Sequence, residues 1–315
     1  FTATNGLSIS ASGVITPGLF RGGSTIRCTY PDGCYNEVGM VIMVPFKVDV
    51  TINSSTSYVW GFNPQMSAGE CLVDWGDNSS ETVTGNTTHT YANTGGDATY
   101  SVKIFDAPSG SKFTGFNTWS STYLNNGGNL IDIKQWGDIQ WQNNTWFSNS
   151  LNISPYYLQL QVSCASNDAP DLSQVTSLNS MFRVGSNRFN YAFTDPNNSL
   201  ASWNVSTITD MAYMFAGIGK NGSVTDNGNF DTNLNSWDVS NVTNMQGLAR
   251  LARGYSQNRV DFFCDQWDVS NVTDFSSAFY SASGGTVANR DLSNWNTSSA
   301  CLLYTSPSPR DSDSS

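Results

Sequence analysis

Histidine and glutamate are nearly absent from this chain of 315 residues, which holds one His (His89) and three Glu (Glu37, Glu70, Glu81). With one His there is no two-His zinc site, and any Ser-His-Asp or Cys-His centre has to use His89. Beyond Glu81 every carboxylate side chain is an Asp, so a glycosidase-type pair across a cleft has few candidates. Cations are scarce: 14 Lys and Arg stand against 25 Asp and Glu, for a formal net charge of −11 and a pI near 4.3. No basic residues cluster, which argues against nucleic acid as a partner, because phosphate contacts need such a patch. The longest apolar run, 38–46, is far short of the roughly 20 residues of a membrane helix, so this sequence holds no spanning segment. With 12% of residues charged, solubility rests on Asn, Ser, Thr and Gly, a composition common in secreted β-rich proteins.

What the chain has in abundance is repetition. The sequence Trp203-x-Val205-Ser206-x-Ile208-Thr209-x-Met211-x-x-Met214-Phe215 recurs from Trp237 (Val239, Ser240, Val242, Thr243, Met245, Leu248) and from Trp267 (Val269, Ser270, Val272, Thr273, Phe275, Ala278, Phe279). An earlier copy has Pro170 in the Trp slot, followed by Leu172, Ser173, Val175, Thr176, Leu178, Met181 and Phe182, and a fifth begins at Trp295. Copies start about 28–34 residues apart, the period range of a solenoid. Each begins with Leu-x-x-Trp, with Cys264 in the Leu slot before Trp267, and this half reads as a short strand running into a turn. The Asn or Asp after the Trp (Asn204, Asp238, Asp268, Asn296) suits that turn, since its side chain can bond nearby backbone. The second half has apolar residues at i, i+3 and i+4, which predicts a short helix N-capped by Thr209, Thr243 or Thr273. One copy alone buries too little. Stacking copies makes a core of Trp203, Val205, Met211, Phe215, Trp237, Val239, Met245, Trp267, Val269, Phe275 and Phe279.

This pattern resembles the BspA-like leucine-rich-repeat surface proteins, whose hallmark is closely matched by Trp237-Asp238-Val239-Ser240-Asn241-Val242-Thr243 and Trp267-Asp268-Val269-Ser270-Asn271-Val272-Thr273. The stretch Ile131-x-x-x-Gln135-Trp136-Gly137-Asp138-Ile139-x-Trp141 is similar to the usual opening of such an array, placed here at 113–300. Upstream, residues 45–112 alternate as β-strands. Val73-Asp74-Trp75-Gly76-Asp77, His89-Thr90-Tyr91 and Tyr100-x-Val102-x-Ile104 resemble a PKD (polycystic kidney disease) domain, an immunoglobulin-like module; Asn78 stands where that family usually has Gly. Residues 1–44 resemble the closing part of a bacterial immunoglobulin-like domain. Cys301–Asp311 matches the in-frame translation of a sequencing-library transposon adapter, so 301–315 is set apart as unstructured, and the chain reads as a fragment of a larger reading frame. The expected fold is multidomain: an immunoglobulin-like β-sandwich, then a leucine-rich-repeat-like solenoid of short strands and short helices.

Candidate sites are few. Asp74 and Asp77 form the best local carboxylate pair, but read first as turn residues, as His89 reads as a strand residue. Asp226, Asn227, Asn229 and Asp231 offer oxygen ligands in a Gly-containing loop, making calcium the one inorganic ligand in view, without a full calcium-loop register. Cys28 and Cys34 flank Pro31-Asp32-Gly33, a turn across which a disulfide fits. Trp119, Tyr123, Trp141, Trp146, Tyr156 and Tyr157 lie outside the repeat core, and either cover the end of the array or stack on sugar rings. The inserts between copies, 185–198, 217–229 and 251–260, vary while the motif stays fixed, as on the binding face of a solenoid. The expected function is non-enzymatic: an extracellular or cell-surface, adhesin-like protein presenting a surface to a glycan or protein ligand, without a cofactor. The alternatives are a structural spacer or appendage such as a virion fibre component, and an accessory region of a secreted polysaccharide-active enzyme.

Overall fold

The protein is described from a computed structural model. It covers residues 2–3, 8–9, 15–16, 22–29, 34–53, 58–92, 95–107, 109–118, 129–142, 160–183, 191–218, 230–252, 260–280, 282 and 291–302. These residues are mostly β-strands paired in sheets.

At the N-terminal end, β1 (Thr2–Ala3), β4 (Gly22–Thr29) and β5 (Tyr35–Ile42) form an antiparallel sheet, and β2 (Ser8–Ile9) pairs with β3 (Ile15–Thr16). Next come β6 (Phe46–Asn53), β7 (Tyr58–Met66), β8 (Cys71–Asp74), β9 (Ser80–Val83), β10 (Thr87–Tyr91), β11 (Asp97–Asp106) and β12 (Phe113–Thr118). They fall into two sheets, one of order β10-β7-β12 and one built on β6-β11-β8-β9. Alternation decides which residues meet between them: Phe46, Val48, Val50, Val73, Val102 and Ile104 are buried, while Lys47, Asp49, Ser101 and Lys103 are not. Trp60, Phe62 and Tyr91 fill the interior from the facing sheet, and Trp75, just past β8, packs on Trp60 and Phe62.

The second sheet does not stop at the sandwich. β13 (Asn129–Gln135) pairs antiparallel with β6, and β14 (Leu160–Cys164) and β15 (Tyr191–Thr194) add in parallel, giving one seven-stranded sheet of order β15-β14-β13-β6-β11-β8-β9. Where the strands turn parallel the repeated motif begins. Trp136 marks the joint, with Phe46 at 5.8 Å, Trp141 at 5.4 Å and Trp203 at 5.1 Å between ring centroids. The buried side chains form one continuous cluster from Phe46 to Ala278.

Beyond the joint, equivalent residues of successive copies lie side by side. Trp203, Trp237, Trp267 and Trp295 stack nearly parallel at 6.3, 6.1 and 6.3 Å. Parallel bridges link Ser177, Asp210, Asn244, Asp274 and Leu302, and β16 (Phe230–Asn233) pairs in parallel with β17 (Val260–Phe263). Three of these indoles donate to the previous copy: Trp237 Nε1 to Leu200 O (2.7 Å), Trp267 Nε1 to Leu234 O (2.7 Å) and Trp295 Nε1 to Cys264 O (3.0 Å). Cys301 and Leu302 continue the ladder through amide bonds to Thr273 O, two residues past the sequence-based end of the array. Residues 303–315 lie outside the described residues.

Two local expectations are corrected. The second half of each copy is not helical: among the described residues the one helix is a 3-10 turn, Ser199–Ser202. Here amides alternate. Met211, Tyr213, Phe215 and Gly217 donate to the next copy at Asn244, Gln246, Leu248 and Arg250, while Met214, Ala216 and Ile218 donate three residues back. Positive φ at Tyr213 (56°), Gly217 (75°), Gly247 (58°) and Leu251 (59°) resets the chain every four residues, so the spacing is helix-like while the backbone is a chain of turns. Nor are the threonines N-caps: Thr209, Thr243 and Thr273 each direct amide and hydroxyl to the carbonyl of Thr176, Thr209 and Thr243 in the preceding copy. Leu-x-x-Trp is itself a turn, closed by the Trp amide on the Leu or Cys carbonyl, with β16 and β17 ending just before it.

Candidate functional site

The repeated positions are consumed by the scaffold. Asn204, Asp238, Asp268 and Asn296 each accept the amide of the Ser two residues on, at 3.1–3.2 Å. Asn241 and Asn271 Nδ2 donate to Ser206 O and Ser240 O of the preceding copy, both at 2.8 Å. The side chains that change from copy to copy lie on the ridge of turns at the end of each copy. Bridging residues Ser177, Asp210, Asn244 and Asp274 run along one side, all half-buried. On the other, the Arg183 guanidinium sits 5.0 Å over the Tyr213 ring and Arg250 sits 5.5 Å over Tyr280. Tyr213 also packs against Gly247, where an added Cβ would meet the ring at 2.4 Å. This ridge alternates cation and aromatic along neighbouring copies. Arg183, Tyr213, Arg250 and Tyr280 were not candidates on sequence grounds; the available signal was that Arg183 and Arg250 both stand 13 positions after the Pro170 or Trp237 that opens their copy.

A second polar cluster sits on the sandwich. Asp77 accepts from Ser79 N (3.0 Å), Ser79 Oγ (2.5 Å) and His89 Nε2 (2.7 Å), and the His89 ring stacks on Trp75 at 4.8 Å. Burial acts to raise the Asp77 carboxyl, but the bonds from Ser79 and His89 outweigh it and hold the group at about 2. For Asp74 burial again acts to raise the carboxyl, and Lys103 at 2.8 Å with the Gly76 amide brings it below its ordinary value. Tyr91 donates to Trp75 O at 2.9 Å, and Asn78 takes φ 72°, the left-handed turn conformation. The two carboxylates thus serve the turn, with Asp77 tied to the strand through His89. An open cleft of about 560 Å³ beside them is lined by Asp74, Asn78, Ser80, Ser101, Lys103 and Phe105 among others.

Of the aromatic candidates, Trp119, Tyr123, Trp146, Tyr156 and Tyr157 lie outside the described residues, and Trp141 is fully buried against Phe46 and Phe113, in the joint rather than on a surface. Asp226, Asn227 and Asn229 also lie outside them, as does the side chain of Asp231. Among the described residues no group of three or more His, Cys, Asp or Glu is placed to hold a metal ion. The Cys28 side chain falls outside the described residues too; Cys34 leads into β5 at the hairpin turn. Of the repeat-core residues, Phe279 is half-buried and the other ten are buried. Cys71 and Cys164 are buried thiols, pushed by that burial up to about 12 and about 11, which removes them as nucleophiles at neutral pH. No helix among the described residues is long and apolar enough to cross a membrane.

Comparison with known proteins gives one match. The family model described as a Mycoplasma protein of unknown function, DUF285, matches residues 157–284 and 220–304. That family is found in BspA-like surface proteins, and the matched stretches contain the stacked Trp copies. No curated protein and no solved structure matches the chain.

Proposed function

We propose that this chain is a non-enzymatic, adhesin-like binding protein of the cell surface or extracellular space. In this reading the repeated region is a leucine-rich-repeat-like solenoid of the BspA-like type, and the sandwich before it is a PKD-like immunoglobulin module. The observation that carries the reading is the division of labour within each copy. Trp, Thr and Asx positions are spent on stacking and ladder bonds, whereas the ridge positions differ from copy to copy: Asn179, Ala212, Gln246 and Ser276 in one column, Arg183, Ala216, Arg250 and Tyr280 in another, the two alanines buried and the other six half-buried or exposed. A constant frame with variable side chains along one edge is how repeat proteins build binding surfaces. The match to a family found in surface proteins supports the location.

The spacer reading draws on a different observation, the continuous sheet and core shared by sandwich and repeats. The two are separated by exposing the whole chain to an array of glycans and extracellular-matrix proteins. Saturable binding that is lost when the ridge is altered supports the adhesin-like reading. Silence across the array would sink it and leave the spacer. The repeats should not be tested alone, because β13 is hydrogen-bonded to β6 of the sandwich.

A further inference from the structure

The charges of the repeated region are sorted by position. From Leu, Asn or Cys at the start of each copy to the last apolar residue of its turn ridge, 167–182, 200–215, 234–249, 264–279 and 292–302, the charged residues are Asp168, Asp171, Asp210, Asp238, Asp265, Asp268 and Asp274, with no Lys or Arg. Every cation from 160 to 302 falls in the segments between: Arg183, Arg188, Lys220, Arg250, Arg253, Arg259 and Arg290. A chain of net charge −11 has therefore kept all its cations for this region in the sequence segments between the copies. Of these, Arg183 and Arg250 are among the described residues, and both are held by aromatic rings of the following copy.

We propose that the ridge is a docking strip for an anionic polysaccharide, with Arg183 and Arg250 as the groups that read its carboxylate or sulfate charges. This inference rests on the binding-protein reading above and names its ligand class. A guanidinium lying over a ring keeps its N–H edge available for bidentate contact with a carboxylate or sulfate. Neither arginine has a carboxylate partner among the described residues, and the buried Nε of Arg250 has no acceptor there. Asn179, Gln246 and Ser276 stand on the same ridge; their side chains bond Asp210, Ser276 and Asp274 respectively, and the second N–H and the carbonyl oxygen of each amide are suited to sugar hydroxyls. The amides of the ridge match the hydroxyls of a sugar polymer, whereas two arginines fall short of the basic patch that a DNA phosphate backbone needs.

The test uses the whole chain and four probes: polygalacturonate, dextran sulfate, neutral dextran and double-stranded DNA, at low and moderate salt. The expected result is saturable, salt-weakened binding to polygalacturonate, dextran sulfate or both. The two arms tell a carboxylate-reading ridge from a sulfate-reading one. The double variant R183Q/R250Q should weaken Kd by about tenfold or more and flatten the salt slope by about 1–2. Arg183→Gln alone, at an exposed position that leaves the Arg250 stack untouched, should weaken it by about threefold or more, with an unchanged melting temperature as the folding control. Three results overturn the inference: no binding to either anionic polymer, undiminished binding by the variants, or equal binding to DNA. If native chain and variants bind neutral dextran or an array protein equally well, the inference falls while the adhesin-like reading stands. If nothing binds at all, both fall.

Discussion

The sandwich and the repeats use the same ingredients, buried aromatics and Asp-anchored turns, in opposite ways. In the sandwich residues have partners found once: His89 between Trp75 and Asp77, Tyr91 on Trp75 O, Lys103 on Asp74. In the repeats the partner of a residue is its own equivalent in the next copy, through Trp on Trp and Thr on Thr. Uniqueness makes the sandwich sensitive at scattered points. Periodicity lets a slot change occupant, as Pro170 replaces Trp, Cys264 replaces Leu and Phe275 replaces Met, while the neighbours keep the register. The comparison predicts that the largest effects come where the two modes meet and the smallest where one repeat bond has a backup.

The joint is therefore the first place to break it. Trp136 contacts Phe46 and Trp141 on one side and Trp203 on the other. Trp136→Ala should cost about 3–5 kcal/mol, the range for emptying a buried aromatic site. Denaturant unfolding followed both by fluorescence and by protease sensitivity of each region should show the two shifting together. If the sandwich unfolds early while the repeats keep the native midpoint, the shared core is not a cooperative unit.

Next is the ridge. At Gly247, φ is 58° and an added Cβ would meet Tyr213 at 2.4–2.5 Å. Gly247→Ala should destabilise by about 1–3 kcal/mol, because the ring must leave its seat and the residue is strained in a left-handed conformation. Displacing Tyr213 also unseats Arg183, so any ridge-dependent binding should weaken along with the melting temperature.

How much of this was legible in the sequence follows from the same contrast. The Trp, Val and Thr columns were readable because periodicity prints Trp and Thr four times each and Val three times, and the strand faces 46–50 and 71–74 because alternation does. The turn ridge was misread as helix because apolar residues at i, i+3 and i+4 satisfy both a helix and a chain of four-residue turns. What separates them is the sign of φ at Tyr213, Leu251 and Ser277, and none of those residues announces it as Gly would. The run of one sheet from sandwich into repeats was hidden because β13 and β6 lie about 80 residues apart and no local pattern encodes their pairing. The cations of the ridge were visible as letters, yet their segregation emerges only once the copies are aligned by the stacked Trp rings.

Asp77 sharpens the sandwich side of the comparison. Its carboxyl is held down at about 2, below its ordinary range, so the ionised form is preferred in the folded state. A depressed carboxyl stabilises fully above its unfolded value near 3.9, and the contribution is lost as pH falls through that value toward 2. Allowing for its partial exposure, Asp77→Asn should cost about 1–2 kcal/mol at pH 7. The gap between native and variant melting temperatures should close between about pH 4 and pH 2. A gap that stays constant across that window would mean that the turn tolerates a neutral acceptor and that the carboxylate charge is not what His89 and Ser79 recognise.

The smallest effect belongs to a repeat bond with a backup. Thr243 gives both its amide (2.9 Å) and its hydroxyl (3.2 Å) to Thr209 O. Thr243→Val removes only the hydroxyl; the amide still satisfies the carbonyl, and the position faces solvent. The cost should be about 0.5 kcal/mol or less, below the usual range for an intramolecular hydrogen bond. Thr232 is the natural control, since it is buried and its hydroxyl joins Asp195 (2.8 Å) and Asn198 (2.5 Å) in a network found once. Thr232→Val leaves the buried Asp195 carboxylate short of a donor and should cost about 1–3 kcal/mol by the same measurement. If the two substitutions cost the same, redundancy between copies is not what makes the repeated columns tolerant, and the contrast between unique and periodic partners loses its energetic basis.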